Sequence, residues 1–166
     1  METEILVDEN GYNEYMIELE KLKKSLLLNA TEGSKAYQDA VGDGWLDNFA
    51  FEQSMIKERN IANLIDKMLE DSKKIKIIEN EIIEEDVISV NSLVKIEFQY
   101  PNNDKEVDYV KLTGNYSPKI DAKIIEITLN SPLGKAIYKK RKYDKTFYLI
   151  NDQKININIL DVNNLH

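Results

Sequence analysis

A heptad pattern of apolar residues runs through the first half of the chain and restricts how that half can fold. The pattern begins at Tyr15 and alternates steps of four and three residues; its positions are Tyr15, Leu19, Leu22, Leu26, Asn29, Gly33, Ala36 and Ala40. Charged residues fill the positions between, as expected for the solvated face of a helix. The pattern predicts a long amphipathic helix that is weakest at Gly33, because glycine costs about 1 kcal/mol in a helix relative to alanine.

A second apolar pattern follows a short break. Gly42-Asp43-Gly44 ends the first helix, and Asp47 or Asn48 can cap the next one. The second seam consists of Phe51, Met55, Ala62, Ile65 and Leu69, widened by Ile61, Met68 and Ile75. Two long helices with so short a connection must fold back on each other, which predicts an antiparallel coiled-coil hairpin of roughly 45 Å.

The apolar period changes from helical to alternating after Ser89. Strands are predicted at residues 93–100, 107–112, 124–129, 146–150 and 155–160, with turns at 101–104 and 151–153. Ser131 followed by Pro132 is typical of a helix start, since serine caps and proline suits the first helical position. The chain is therefore predicted to be α+β, with a coiled-coil arm over residues 1–79 and a small β-rich domain over residues 80–166.

The residue inventory offers little for catalysis. The chain has no cysteine, which excludes disulfides and thiolate zinc sites, and its only histidine is the last residue, His166. It also lacks a glycine-rich phosphate loop with its lysine. We therefore expect a protein that is not an enzyme by itself and that needs no cofactor of its own.

Charge and hydropathy point to the kind of partner. The net charge is −8, whereas proteins that grip duplex DNA usually carry a basic excess. No apolar run approaches the roughly 20 residues of a membrane span, and the first residues do not resemble a signal peptide. We expect a soluble cytoplasmic protein with a protein partner, without independent DNA binding and without a membrane. The acidic surface also fits a simple solubility role.

The break between the helices concentrates acidic residues. Asp43 and Asp47, with Asp39 one turn earlier, place carboxylates at the end of the predicted arm. Carboxylate oxygens suit Mg²⁺, but Asp43 also suits a turn and Asp47 a helix cap, so both interpretations stay open. Trp45 lies in the same break, where it either packs on Phe49 or anchors the tip in a partner.

Three segments resemble the Gre-type (GreA/GreB) family of bacterial transcription elongation factors. Gly11-Tyr12 with the following Glu18-Leu19 and Leu22-Lys23 resembles the opening of the family's coiled coil, and Gly42-Asp43 with Leu46-Asp47-Asn48 its acidic tip. The octet Asn130-Ser131-Pro132-Leu133-Gly134-Lys135-Ala136-Ile137 is very similar to the signature of the family's C-terminal domain and is the specific part of the resemblance.

The resemblance implies a fold and a partner. The C-terminal domain would have an FKBP-like fold and dock at the rim of the secondary channel of RNA polymerase, with Ser131, Pro132, Leu133 and Gly134 of the octet as partner-binding residues. Trp45 is a partner-binding candidate because of its position in the break, and not because of the resemblance. The coiled coil would enter the channel and reach the 3′ end of the nascent RNA. There Asp43 and Asp47 would help to hold Mg²⁺, shared with the polymerase, so that a backtracked transcript is cut.

The tip departs from the family pattern. One extra residue separates Asp43 from Asp47, the second acid is usually glutamate, and Trp45 belongs to no standard cleavage-factor tip. Some relatives occupy the same channel and inhibit the polymerase. Three hypotheses therefore remain: a cleavage stimulator, a channel-binding inhibitor or pausing modulator, and a coiled-coil adaptor unrelated to polymerase. The octet disfavours the adaptor, which has no need of it.

Overall fold

The computed structural model describes residues 4–39, 47–79, 84–119 and 124–164, with no description of side chains between residues 32 and 50. Two compact units are present: the first comprises Tyr15–Ile75, and the second comprises Glu4–Glu14 together with Lys76–His166. The chain is α+β, as the sequence predicts, because two long helices precede a five-stranded sheet. The sequence division at residues 79 and 80 stays a prediction.

The first unit contains helix α1 (Glu9–Asp39) from Tyr15 onward, and helix α2 (Asp47–Ser72). Helix α1 continues through Gly33. Tyr15 and Leu19 of α1 are buried, as are Ile65 and Met68 of α2. The Tyr15 hydroxyl donates a hydrogen bond to the Met68 carbonyl, which joins the two helices at this level.

The apolar stripe of α2 differs from the sequence prediction in three positions, one of which, Ile75, lies beyond the end of the helix at Ser72. Met68 is buried, whereas Leu69 and Met55, both placed on the predicted seam, are 42% and 47% exposed. Ile61, Ile65 and Met68 follow the helical steps of four and three residues, so they share one face, and Leu69 lies beside it. Adjacent apolar residues leave such a choice open in the sequence.

The second unit contains a five-stranded sheet and a short helix. Its elements are β3 (Ser92–Gln99), β4 (Lys105–Thr113), β5 (Ile125–Thr128), helix α3 (Pro132–Ile137), β6 (Lys145–Ile150) and β7 (Gln153–Asn164). The strand order in the sheet is β5-β4-β3-β7-β6. Only β4 and β5 pair in parallel; the other neighbours are antiparallel. All five strands and the short helix occur where the sequence predicts them, with ends that differ by a few residues.

Alternating burial divides this sheet into two faces. Along β3 every second residue is buried, and the core cluster includes Val94, Ile96, Phe98, Val110, Leu112, Ile155, Ile157 and Ile159, with Leu129 and Ile137 from the β5–α3 region. The strand register then assigns the intervening residues to the opposite face, hereafter the outer face. At the β6–β7 turn, Asn151 and Asp152 both have positive φ, at 48° and 61°, as a tight hairpin requires.

Two short strands were missed by the sequence analysis. Strand β1 (Ile5–Val7) pairs with β2 (Ile75–Ile77) in a separate two-stranded sheet. Val7 is completely buried, and Leu6 and Ile78 pack against the core of the second unit. No helix within the described ranges is long and apolar enough to span a membrane.

Candidate functional site

The predicted tip residues cannot be placed in the fold. Asp43 and Trp45 lie outside the described residues, and Asp47 is described only as the first residue of α2, without its side chain. Their roles in metal binding and partner binding therefore stay predictions. The described ranges contain no group of three or more acidic, histidine or cysteine side chains that could hold a metal ion.

The octet at residues 130–137 begins with a side chain that acts as a strand partner. Asn130 Oδ1 accepts a hydrogen bond from the Leu6 N–H at 2.8 Å, and Asn130 Nδ2 donates to the Leu6 carbonyl at 2.9 Å. One amide thus satisfies both backbone groups of Leu6, as a neighbouring strand would. Asn130 therefore fastens β1 to the loop that leads into α3.

Ser131 and Pro132 form the start of α3, as the sequence predicts. The Ser131 hydroxyl accepts a hydrogen bond from the Gly134 N–H at 3.0 Å and donates to the Thr128 carbonyl at 2.8 Å. Pro132 occupies the first turn, where its missing N–H has no helical partner to lose. The Ser131 side chain is thus committed to the cap, while Pro132 is exposed.

Gly134 and Leu133 complete the internal part of the octet. A Cβ atom on Gly134 would lie 2.0 Å from the Thr128 carbonyl oxygen, so a side chain cannot fit without a backbone shift. Leu133 is half-buried against the core cluster. Of the four octet residues predicted to bind a partner, Pro132 has the greatest access to solvent, and Ser131 and Gly134 hold the α3 turn together.

The start of α1 is fixed to the loop after β4. Asp8 Oδ1 caps the helix by accepting from the Gly11 N–H at 2.6 Å, and the Asp8 N–H donates to the Gly114 carbonyl at 3.0 Å. A Cβ on Gly11 would come within 2.2 Å of that carbonyl oxygen. Close backbone approach thus explains Gly11, which the sequence analysis noted only as part of a resemblance.

An ion pair lies next to this cap. Lys119 Nζ is 2.6 Å from Glu14 Oε1, and its hydrogen bond and the Glu14 charge raise the pKa of Lys119 above its ordinary value. Both side chains are well exposed, so solvent screening keeps the contribution of the pair to stability small.

A basic segment at residues 139–145 was missed by the sequence analysis. Its sequence is Lys139-Lys140-Arg141-Lys142-Tyr143-Asp144-Lys145, five cationic residues and one carboxylate in a chain whose net charge is −8. The overall acidity hides this local reversal of sign, although the run itself is visible in the sequence. A short run rich in lysine and arginine is a common nucleic-acid or polyanion contact.

The basic segment is held by backbone hydrogen bonds. The Lys139 N–H donates to the Ile88 carbonyl at 2.9 Å, and the Ile88 N–H donates to the Lys140 carbonyl at 2.8 Å. The Tyr143 N–H donates to the Ile159 carbonyl at 2.8 Å. The Asp144 carboxylate accepts from the Arg141 N–H at 2.8 Å. The part of the segment that precedes β6 is therefore a loop held in place by its backbone, and Tyr143 within it is 75% exposed.

Two ion pairs join the basic segment to its surroundings. Arg141 lies 2.6 Å from Glu84, and Lys142 lies 2.7 Å from Asp161 of β7. The hydrogen bond and positive charge of Lys142 lower the pKa of the Asp161 carboxyl, and the same contact raises the pKa of Lys142. Because Asp161 pairs with Lys95 in the sheet register, this contact connects the segment to the outer face.

Comparison with known proteins identifies solved transcription factors of the family that the sequence motifs resemble. The transcription factor Gfh1 is 20% identical, with a TM-score of 0.42, and the alignment covers 98% of this chain and 99% of that chain. Gfh1 of Thermus aquaticus is 22% identical, with a TM-score of 0.41 over 97% and 99% of the two chains. The elongation factor GreA/GreB from Nitrosomonas europaea is 16% identical, with a TM-score of 0.38 over 59% and 78%.

No protein-family model matches the sequence, and no curated protein is significantly similar to it.

Proposed function

We propose that this chain is a Gre-type transcription elongation factor that binds RNA polymerase and stimulates cleavage of backtracked transcripts by the polymerase active site. The observation that carries the proposal is the octet at residues 130–137, which contains the N-cap and all of α3 in a β-rich unit that follows two long helices. In this proposal residues 1–79 form a coiled-coil hairpin that enters the secondary channel. Residues 80–166 form an FKBP-like domain that docks at its rim.

The length of the helices supports the role of an arm. Helix α1 has 31 residues and α2 has 26, which at about 1.5 Å per residue gives roughly 45 and 40 Å. The break that contains Asp43, Trp45 and Asp47 falls between these helices in the sequence, and in this proposal it forms the end of the arm. From there the tip would reach the 3′ end of the nascent RNA.

The tip residues have the right chemistry for the proposed metal role. Asp43 and Asp47 offer carboxylate oxygens, the ligand type that Mg²⁺ takes in proteins, so the donor set fits the ion. When bound, Mg²⁺ supplies an activated water and charge stabilisation for phosphodiester hydrolysis. Asp43 and Asp47 would hold the ion only within the polymerase complex. The chain alone is therefore proposed not to cleave RNA.

The proposal is tested by transcript cleavage in a stalled, backtracked complex. Wild type, Asp43→Asn and Asp47→Asn are compared at matched occupancy, with Asp66→Asn on the exposed face of α2 as the control for loss of one charge. Asparagine keeps the turn and cap preferences but removes the metal-attracting charge, so Asp43→Asn should abolish cleavage and leave polymerase affinity nearly unchanged. Equal cleavage by all four proteins would refute the metal role.

The altered tip favours a second candidate function. The extra residue between Asp43 and Asp47 and the presence of Trp45 change a geometry in which a shift of about 1 Å can cost on the order of a hundredfold in rate. A wild-type chain that binds polymerase and slows elongation without cleavage would show that this protein occupies the channel as an inhibitor or pausing modulator. Absence of polymerase binding would refute both functions.

A further inference from the structure

Four exposed or half-exposed aromatic rings of the second unit each have a lysine ammonium group over them. Lys154 Nζ is 4.3 Å from the centre of the Phe147 ring, and Lys139, Lys142 and Lys95 lie 5.3, 5.4 and 5.5 Å from Tyr138, Tyr143 and Tyr109. Phe147 is 50% exposed and Tyr109 48%. Exposed rings paired with cations are the elements from which single-stranded nucleic-acid sites are built, because bases stack on rings and phosphates pair with cations.

The outer face of the sheet and the basic segment both have an excess of positive charge. The outer face carries five lysines and three carboxylates; the lysines are Lys95, Lys105, Lys111, Lys145 and Lys154, and the carboxylates are Glu97, Glu126 and Asp161. Glu97 accepts hydrogen bonds from Asn158 and Lys105, which lower its pKa, so its carboxylate stays charged and pairs with Lys105, and the face keeps an excess of two lysines. The face is thus locally basic in an acidic chain.

Three lysines of this region face the solvent without an ion pair to any described residue. Lys140, Lys145 and Lys154 form no salt bridge with another residue of the described ranges. Lys145 and Phe147 lie on β6 two residues apart, so both side chains point to the outer face, next to Asn158 and Asn156 of β7. The Lys145 ammonium group, the Phe147 ring and the two asparagine amides therefore lie side by side on the outer face, at the β6 edge of the sheet.

We infer that the outer face, from Tyr143 and the basic segment to Phe147 and Lys154, binds single-stranded RNA. Charge complementarity favours a polyanion, and the exposed rings with their cations favour one whose bases are unpaired. The choice of RNA over DNA rests on the proposed function, since the single-stranded product of a transcribing polymerase is RNA. The overall charge of −8 opposes binding, so the interaction is weak and depends on salt.

The basic segment is suited to this role because it needs little ordering. Its backbone bonds to Ile88 and Ile159 already fix the loop, so RNA binding costs mainly side-chain freedom. Lys142 is partly used by Asp161 and Arg141 by Glu84, which leaves Lys140, Lys145 and Lys154 as the main phosphate partners.

The test measures fluorescence anisotropy of a labelled single-stranded RNA with the full-length chain and without polymerase, so failure of the cleavage assay would not affect it. One variant combines Lys140→Glu, Lys145→Glu and Lys154→Glu. Its control combines Lys21→Glu, Lys57→Glu and Lys67→Glu, three exposed helical positions with the same change in net charge. The first should weaken binding at least tenfold and make the slope of log K against log salt shallower by about 2. The control should bind much more tightly than the first variant.

A second pair of variants tests stacking. Tyr143→Leu or Phe147→Leu should each weaken RNA binding about fivefold or more, because base–ring stacking is lost while an apolar side chain remains. Leu149→Ala, at an exposed apolar position of the same strand, should have little effect. Circular dichroism checks that each variant is folded.

Several results would overturn the inference. Equal binding of inorganic polyphosphate, with no effect of the ring variants, would show attraction by charge alone. Equal or tighter binding of duplex RNA would exclude stacking, and equal or tighter binding of single-stranded DNA would refute the choice of RNA. If no nucleic acid binds at low salt while the charge-reversal variant loses polymerase affinity, the face is a protein contact.

Discussion

The Asn130 side chain holds both backbone polar groups of Leu6, with hydrogen bonds of 2.8 and 2.9 Å across a sequence separation of 124 residues. The contact gives the first residue of the octet a structural role. It joins β1 to the loop before α3 through a side chain and not through strand pairing. The strand near the start of the described chain therefore depends on the loop before α3 for its place in the second unit.

Asn130→Ala should destabilise the protein by about 1–3 kcal/mol, because both partly buried groups of Leu6 lose their partner. Asn130→Asp should be no better, since a carboxylate oxygen would replace the donor that faces the Leu6 carbonyl. Urea unfolding measures both. Asn102→Ala, in an exposed turn, is the control. A loss of less than about 0.5 kcal/mol of unfolding free energy for Asn130→Ala would contradict the structural role of the Asn130–Leu6 contact.

Gly134→Ala should cost about 3 kcal/mol of unfolding free energy, because its Cβ would meet the Thr128 carbonyl oxygen at 2.0 Å and the backbone must move. Lys135→Ala, at the next and exposed position of α3, should change stability by no more than about 0.5 kcal/mol. Thermal or urea unfolding distinguishes the two. Equal stability of Gly134→Ala and wild type would show that the α3 turn relaxes more easily than this geometry allows.

The sequence predicts the regular strands of the second unit well because one of their faces is buried. Alternation is clear in β3, where every second residue belongs to the core, and tight-turn residues mark the β6–β7 hairpin. Strands β1 and β2 have only three residues each, and the two long helices lie between them in the sequence. No local pattern therefore identifies them. Their existence depends on tertiary contacts such as the one between Leu6 and Asn130.

The candidate site shows a similar limit. The sequence identifies Ser131 and Pro132 as a helix start because capping is local. It gives no sign that Gly134 lies against Thr128 or that Gly11 lies against Gly114, because these approaches join separate segments. The basic segment was visible as a run of residues, but only the strand register places it beside Phe147 and Lys154.

Acid should weaken the contact between Asp161 and Lys142. The Asp161 pKa lies below its ordinary value of 3.8 because Lys142 hydrogen-bonds to it and attracts its charge. A lowered carboxyl pKa stabilises the fold above the ordinary value, and this contribution is lost as the pH falls through the folded-state pKa. Lys142→Ala should therefore raise the Asp161 pKa toward 3.8. Carboxyl chemical shifts measured from about pH 2 to 6 report it.

The control for this titration is Lys105→Ala, which removes a hydrogen bond to Glu97 and should leave Asp161 unchanged. The same variant should raise the Glu97 pKa, although Asn158 remains as its larger cause of depression. An Asp161 pKa that does not respond to Lys142→Ala would show that the ion pair is not formed in solution.

The second unit should depend on residues 4–14 for its stability. Val7 is completely buried, Leu6 packs on the core, and Asp8 bonds to Gly114, all within this unit. A fragment of residues 73–166 lacks these contacts, and burial of one aliphatic side chain alone is worth about 1.5–3 kcal/mol. The fragment should therefore be less stable than the second unit of the intact chain by about 3 kcal/mol or more.

A peptide of residues 4–14 added to this fragment should raise its urea midpoint in a concentration-dependent manner, because a ligand that binds only the folded state stabilises it by mass action. The matched control is the same peptide with Leu6→Asp and Val7→Asp, which keeps the length and the Asp8 cap but cannot enter the apolar core. Amide spectra of the fragment with and without each peptide locate the change, which should include Gly114 and Asn130. A fragment as stable as the intact unit, and indifferent to both peptides, would show that residues 4–14 rest on the second unit without supporting it.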